Sequence, residues 1–188
     1  MHVVVYPEAE VPADLRRQQV ALQDLAWPSE HPSEPIPWHD PALQPESMLL
    51  VDEDRVVAAL DILSKELEHA GQRFAASGVS AVVADPDRRG EGHGTTLVVA
   101  ARERIAAGGA DLGIFTCDRA LLSFYQRAGW RHLAGTVVIG GTPEVPLPSD
   151  ELDKVTMGAF FSPRARQAAS SFLGARIELY PGEIDKLW

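Results

Sequence analysis

The run Asp85-Pro86-Asp87-Arg88-Arg89-Gly90-Glu91-Gly92-His93-Gly94-Thr95 has the residue types of an anion cradle. An apolar, strand-like stretch, Val79 to Ala84, precedes it, and a helix-like stretch from Thr95 to Ile105 follows. The first turn of a helix leaves its N–H groups unpaired and carries partial positive charge. Gly90, Gly92 and Gly94 let backbone approach an anion without a Cβ in the way. Arg88 and Arg89 add positive charge. The spacing excludes two nucleotide loops. A P-loop needs Gly-Lys-Ser/Thr at the helix start, where this chain has Gly94-Thr95-Thr96. A dinucleotide loop needs Gly-x-Gly-x-x-Gly after the first strand, early in the chain.

A second segment, Asp118 to Trp130, reads as a short amphipathic helix with Leu121, Leu122, Phe124, Tyr125 and Ala128 on its apolar stripe. Asp118 is the expected N-cap and Gly129 the residue just past the end. The stretch Asp111 to Thr116 before it reads as a strand.

Together, Arg89-x-x-Gly92-x-Gly94 after a strand and the later Phe124-Tyr125-x-x-x-Gly129-Trp130 resemble the GNAT superfamily of N-acetyltransferases. The resemblance implies acetyl-coenzyme A as cofactor, with its pyrophosphate on Arg88 to Thr95. It implies a bulged strand whose backbone at Val82, Val83 and Ala84 holds the pantetheine arm and the thioester carbonyl. It also implies Tyr125 as general acid for the departing thiolate. Transfer would run directly to a primary amine in a ternary complex.

A narrower resemblance is to the aminoglycoside 2′-N-acetyltransferases, including the kasugamycin-type branch, which also end in an acid close to a C-terminal Trp. It implies that Asp185 and the carboxylate of Trp188 take part in catalysis and in holding a cationic acceptor. Two departures stand out. Those enzymes carry a Glu as remote base where this chain has Ser80, and Asp185 lies one residue farther from the end. The acids left as base candidates are Asp40, Asp153, Asp185 and the Trp188 carboxylate. Trp38, Asp40, Ser80, Thr116, Asp153, Asp185 and Trp188 form the expected acceptor side. Two other readings stay open: a GNAT acetylase of another small amine, polyamine or protein amine, and a coenzyme A-binding sensor without catalysis.

The elements that position these residues follow from the rest of the chain. Its 188 residues, 45% of them hydrophobic, suit one α/β domain over 1–188, with a central mixed twisted sheet of about seven strands flanked by helices. The cofactor core spans about 79–130. Loops at about 27–47 and 140–153 and the tail 181–188 lie on the substrate side. Expected strands are 2–6, 48–51, 55–67, 73–84, 111–116, 133–139, 154–161 and 176–180. Expected helices are 12–25, with Leu15, Leu22 and Leu25 facing one side, and 163–173, opened by Ser162-Pro163 and closed by Gly174. Asp61 and Lys65 leave the faces of the third strand unsettled. Six prolines between Trp27 and Pro45 forbid a long helix there. A Trp at the very end of the chain is odd, and simple packing on the surface is the alternative to a role for Trp188 in the site.

The net charge of −10 argues against nucleic acid and anionic membranes and favours a cationic partner. The absence of a leader or an apolar run of spanning length suggests a cytoplasmic protein, and a single cysteine, Cys117, suits a reducing compartment. His31, His39, His69, His93 and His132 show no metal-ligand spacing, so no metal is expected. Cys117 and Ser123 lack the sequence context of a nucleophile. A homodimer through loop 140–149 and the last strands is compatible with the resemblance.

Overall fold

A computed structural model describes residues 1–28 and 34–188. His31 and Pro32 of the proline-rich loop lie outside the described residues. The elements in chain order are β1 (His2–Pro7), α1 (Ala13–Ala26), β2 (Glu46–Asp52), β3 (Arg55–His69) and β4 (Gln72–Ala84). There follow α2 (His93–Ala107), β5 (Leu112–Asp118), α3 (Leu122–Arg127), β6 (Arg131–His132), β7 (Val137–Gly141) and β8 (Pro146–Pro148). The chain closes with β9 (Lys154–Phe160), α4 (Pro163–Ala168) and β10 (Arg176–Glu178).

Seven strands form a mixed sheet in the order β1-β2-β3-β4-β5-β9-β6, and only the β4–β5 pair is parallel. β10, β7 and β8 make a second, three-stranded sheet. Long apolar runs in β2 and β3 bury both sheet faces. α1 packs Leu22 over Leu49, Val51, Val56, Ala59 and Val83. α2 packs Leu97, Val98, Ala101 and Ile105 into the larger cluster with Leu60, Ile62, Phe115 and Trp130.

Several sequence expectations need correction. Leu25 lies on the outer face of α1 and is 64% exposed, because Arg16, Gln19 and Val20 share the buried stripe with Leu22. The strand expected at 133–139 is broken: β6 ends at His132, a turn follows Leu133, and β7 starts at Val137 in the second sheet. The loop at 140–149 contains β8, which pairs with β7. The helix from Pro163 is α-helical only to Ala168 and tightens into a 3₁₀ turn over Ala169–Phe172. Its start is as expected, with the Ser162 hydroxyl accepting from Ala165 N–H at 3.2 Å. Leu121, on the expected stripe of α3, is exposed. Asp118 occupies the N-cap position of the turn into α3, but its carboxylate pairs with Lys154 at 2.6 Å instead of capping.

Two features of the sheet prepare the site. In β4, Ser80 pairs with Asp61 and Val83 with Ala59, so Ala81 and Val82 together face Leu60. This is a β-bulge, and Ala81 adopts φ +48° to make it. In addition, β4 and β5 pair only at Ala76↔Leu112 and Ser77↔Gly113. Beyond Ser77 the two strands part, and the β4 edge facing β5 has no ladder partner.

The C-terminal tail runs across this region. Gly141 N–H donates to Lys186 O at 2.7 Å, and any Cβ on Gly140 would collide with that same carbonyl. Gly140→Ala is therefore expected to lower stability by about 1–3 kcal/mol through displacement of the tail. A thermal melt showing an unchanged midpoint would contradict this.

Candidate active site

The loop after β4 is held by its own side chains. Asp85 is buried, caps the turn Pro86–Arg88 by accepting from Asp87 N–H at 3.0 Å, and pairs with Arg55 at 2.5 Å. Arg88 bridges Asp52 and Glu91, each at 2.8 Å. These two acids neutralise Arg88, so it clamps the loop. Arg89 is exposed and stands outside these ion pairs. Gly90 and Gly92 adopt φ +87° and +83°, and a Cβ on either would project into open space. Gly92 opens α2 without a side-chain cap, and the first intrahelical bond there runs from Thr96 N–H to Gly92 O at 2.9 Å. The N–H groups of His93, Gly94 and Thr95 are thus left for an outside acceptor. His93 is buried, with Nε2 3.5 Å from Glu91 and Nδ1 without a hydrogen bond.

The parting of β4 and β5 makes a cavity of about 310 Å³. Val79, Ser80, Ala81 and Val82 line it from β4, Thr116, Cys117 and Asp118 from β5, Tyr125 from α3, and Ile184–Trp188 from the tail. Val83 instead packs in the core beneath α1 and pairs with Ala59 of β3, outside the cavity lining, and Ala84 is exposed beside Gly94. Tyr125 packs edge-on between Phe115 and Phe124, each ring centroid 4.9 Å away. Burial, and then the neighbouring Cys117 and Asp118, hold its phenol well above the ordinary range, so it stays protonated at neutral pH. Burial, followed by the Asp118 charge, pushes the Cys117 thiol up to about 11, which makes it an inert thiol at neutral pH.

The expected acceptor-side residues do not all meet. Trp38, Ser80, Thr116, Asp185 and Trp188 line the cavity, joined by Trp27. Asp153 is outside the lining: it is exposed, sits at φ +50° and pairs with Arg119 at 2.8 Å. Asp40 is committed to the backbone, its Oδ1 accepting from Ala42 N–H at 2.9 Å. Thr116 Oγ1 lies 3.5 Å from Leu187 O. Trp188 does not pack on the surface. It is 7% exposed, and its Nε1 donates to Ile114 O at 2.9 Å.

Beside the cavity is a buried ionic cluster that the sequence reading missed. His39 Nδ1 contacts Asp185 Oδ1, and His39 Nε2 lies 3.3 Å from Asp61 Oδ2. Asp61 also accepts from Ser47 Oγ at 2.5 Å and from Gln19 Nε2 at 3.1 Å. Glu8 and Arg16, 3.6 Å apart, complete the cluster, and Trp38 covers His39 with ring centroids 3.9 Å apart. Burial alone would depress the His39 pKa, but bonds to Asp185 and then Asp61 outweigh it and raise it to about 9. The cluster ties the tail to β3 and α1. Asp61 was the available signal: a lone carboxylate in the apolar run Val56 to Leu63 must find a partner.

A glycine-lined helix start at the end of a bulged strand, a parted parallel pair and a tyrosine facing the gap have the order of the GNAT acetyltransferase domain. The model of that domain matches residues 10–133. The chain belongs to the GNAT acetyltransferase family. As a GNAT enzyme it is an acetyl-CoA-dependent N-acetyltransferase. Among curated proteins none matches this GNAT chain in sequence. Its fold is similar to that of Escherichia coli ElaA, with 19% identity, 84% of this chain and 99% of that chain covered, and a TM-score of 0.60. An acyl-CoA N-acyltransferase from Pseudomonas aeruginosa is similar at 15% identity, covering 84% of this chain and 97% of that one, with a TM-score of 0.57. An aminoglycoside 6′-N-acetyltransferase solved with coenzyme A is similar at 14% identity, covering 86% and 98%, with a TM-score of 0.57.

The residues present fit the cofactor. The positive-φ glycines, the unpartnered N–H groups of α2 and Arg89 suit a pyrophosphate, and the unpaired edge of β4 suits an amide-bearing arm. Arg89→Ala is expected to weaken coenzyme A binding about tenfold while leaving the melting temperature unchanged. Equal affinity in the variant and the wild type, measured by calorimetry, would contradict this. Among the described residues no helix is long and apolar enough to cross a membrane, and no cluster of His, Cys, Asp and Glu could hold a metal.

Proposed function

We propose that the cavity between β4 and β5 joins the acetyl group of acetyl-CoA to the primary amine of a small acceptor, best an aminoglycoside or aminocyclitol. The observation that carries this reading is the lining of the gap: Tyr125 on one side, the bulged β4 edge on the other, and two tryptophans at the mouth. Acetyl-CoA supplies the activated acyl group. Backbone N–H groups at Val82 to Ala84 orient its carbonyl and carry the charge that develops there. Tyr125 delivers a proton to the departing sulfur.

The mouth supports a cyclic, cationic acceptor. Trp27 and Trp38 are 55% and 41% exposed and offer flat apolar faces. They border a neighbouring groove of about 430 Å³ that also holds Asp24 and Glu34. Inside the cavity both side-chain carboxylates are paired, Asp118 with Lys154 and Asp185 with His39. That pairing favours a second reading, a small amine of lower charge than an aminoglycoside. It also favours an amine that loses its proton to solvent, since both side-chain carboxylates lining the cavity are already paired, which leaves the Trp188 carboxylate as the base candidate there.

The deciding experiment is thiol release from acetyl-CoA against kasugamycin, several 2-deoxystreptamine aminoglycosides, spermidine and amino-terminal peptides. Acceleration by an aminoglycoside or aminocyclitol is the expected result. Acceleration by spermidine or a peptide alone would replace that acceptor. No acceleration with coenzyme A binding intact would point to a sensor.

A further inference from the structure

The cavity has a floor made by one side chain. β4 and β5 last pair at Ser77↔Gly113. At the next positions, Gly78 and Ile114, the indole of Trp188 lies between the strands. Its Nε1 donates to the carbonyl of Ile114, an acceptor no β4 residue takes up. The fit leaves no slack: a Cβ on Gly78 would stand 2.5 Å from Nε1 and would also collide with Ile114 O. The ring is part of the main apolar core.

The floor is anchored. Trp188 N–H donates to Asp185 O at 2.9 Å, and the Asp185 carboxylate is fixed by His39 and by Asp40 N–H at 3.1 Å. Gly182 N–H donates to Gly141 O at 3.0 Å, which holds the start of the tail on the second sheet.

The direction of the channel follows from the position of the anion cradle. The cradle lies beyond Ala84, and Gly78 lies six residues back along β4, roughly 20 Å at strand rise. A donor held by its phosphates at Gly90 to Thr95 and lying along β4 meets Tyr125 partway. Its acyl group is the end that points at the indole. This rests on the reading of the gap as the donor channel.

We propose that Trp188 is a specificity-determining residue: its indole, seated between Gly78 and Ile114, closes the acyl end of the channel so that acetyl fits and chains of butyryl length and beyond do not. Truncating the ring opens a space lined by Val79, Ile114, Leu187 and the Gly78 backbone, which is apolar and suited to methylenes.

The test is equilibrium binding of CoA, acetyl-CoA, butyryl-CoA and hexanoyl-CoA to the full chain by calorimetry, with affinity for CoA as each variant's own reference. Wild type is expected to bind hexanoyl-CoA at least about tenfold more weakly than acetyl-CoA, because extra carbons overpack the floor. In Trp188→Ala the order reverses, with affinity gaining about fourfold per methylene that enters the opened space. Trp188→Phe keeps a buried ring and is expected to fall between the two, so the test survives if Trp188→Ala unfolds. Equal binding of hexanoyl-CoA and acetyl-CoA by wild type would overturn the proposal. So would an unchanged chain-length profile in both variants with CoA affinity intact. Failure of wild type to bind CoA itself would overturn the donor channel and this proposal with it.

Discussion

Replacing Tyr125 by Phe lowers kcat by about 10²- to 10⁴-fold and leaves the affinity for coenzyme A unchanged. The ring keeps its edge-on contacts with Phe115 and Phe124, so the substitution removes only the hydroxyl. Its phenol is held above the ordinary range by burial, so the wild-type rate shows no loss from Tyr125 ionisation up to pH 10. Parallel measurement of thiol release and of CoA binding separates the outcomes. A fall in both would mean that Tyr125 is a packing residue. No change in either would remove it from the chemistry and favour a coenzyme A sensor.

Replacing His39 by Ala destabilises the fold by about 3–5 kcal/mol at neutral pH, the cost of stranding buried carboxylates. Asp61 and Asp185 are both buried and approach the same imidazole from opposite sides, with Glu8 close by. Without the imidazolium they lose the cation between them, and Arg16 is engaged with Glu8 and Gln19. The His39 pKa is raised from 6.5 to about 9, so its stabilising contribution is fully present below about pH 6.5 and is lost as pH rises through about 9. Urea melts of the wild type are therefore expected to show a stability loss between about pH 6.5 and 9 that the Ala variant does not share. Equal stability at pH 7, or the same alkaline loss in both proteins, would contradict the assignment. Because the cluster fixes Asp185, the variant should also lose order in the tail that floors the cavity.

What the sequence reveals about this site depends on how locally each part is encoded. The phosphate loop is legible because its glycines, arginines and helix start are contiguous, and backbone geometry there follows from residue type. Tyr125 is legible because a short helix with one apolar face and Gly129 at its end is a local pattern. The His39 cluster is not, since its members come from the start of the chain, a proline-rich loop, β3 and the tail, and 146 residues separate His39 from Asp185. Asp61 was visible as an anomaly but not as one end of an ion pair. The burial of Trp188 is not legible for the same reason. A terminal aromatic has a surface as its default, and only the parting of β4 from β5 at Gly78 creates the slot that buries it. The break after Leu133 and the second sheet were missed because apolar alternation through Val137 to Ile139 does not say which sheet a strand joins.

In the proposed reaction acetyl passes directly between two bound substrates, with no acylated enzyme. Cys117 is the nucleophile that would contradict it, since it lines the cavity beside Tyr125, although its thiol is pushed up to about 11. Initial velocities measured while varying acetyl-CoA and the preferred amine together test this directly. Intersecting double-reciprocal lines, with no acetyl label retained on the protein when the amine is left out, are the predicted result. Parallel lines with acetyl trapped on Cys117 would instead show an acyl-enzyme route.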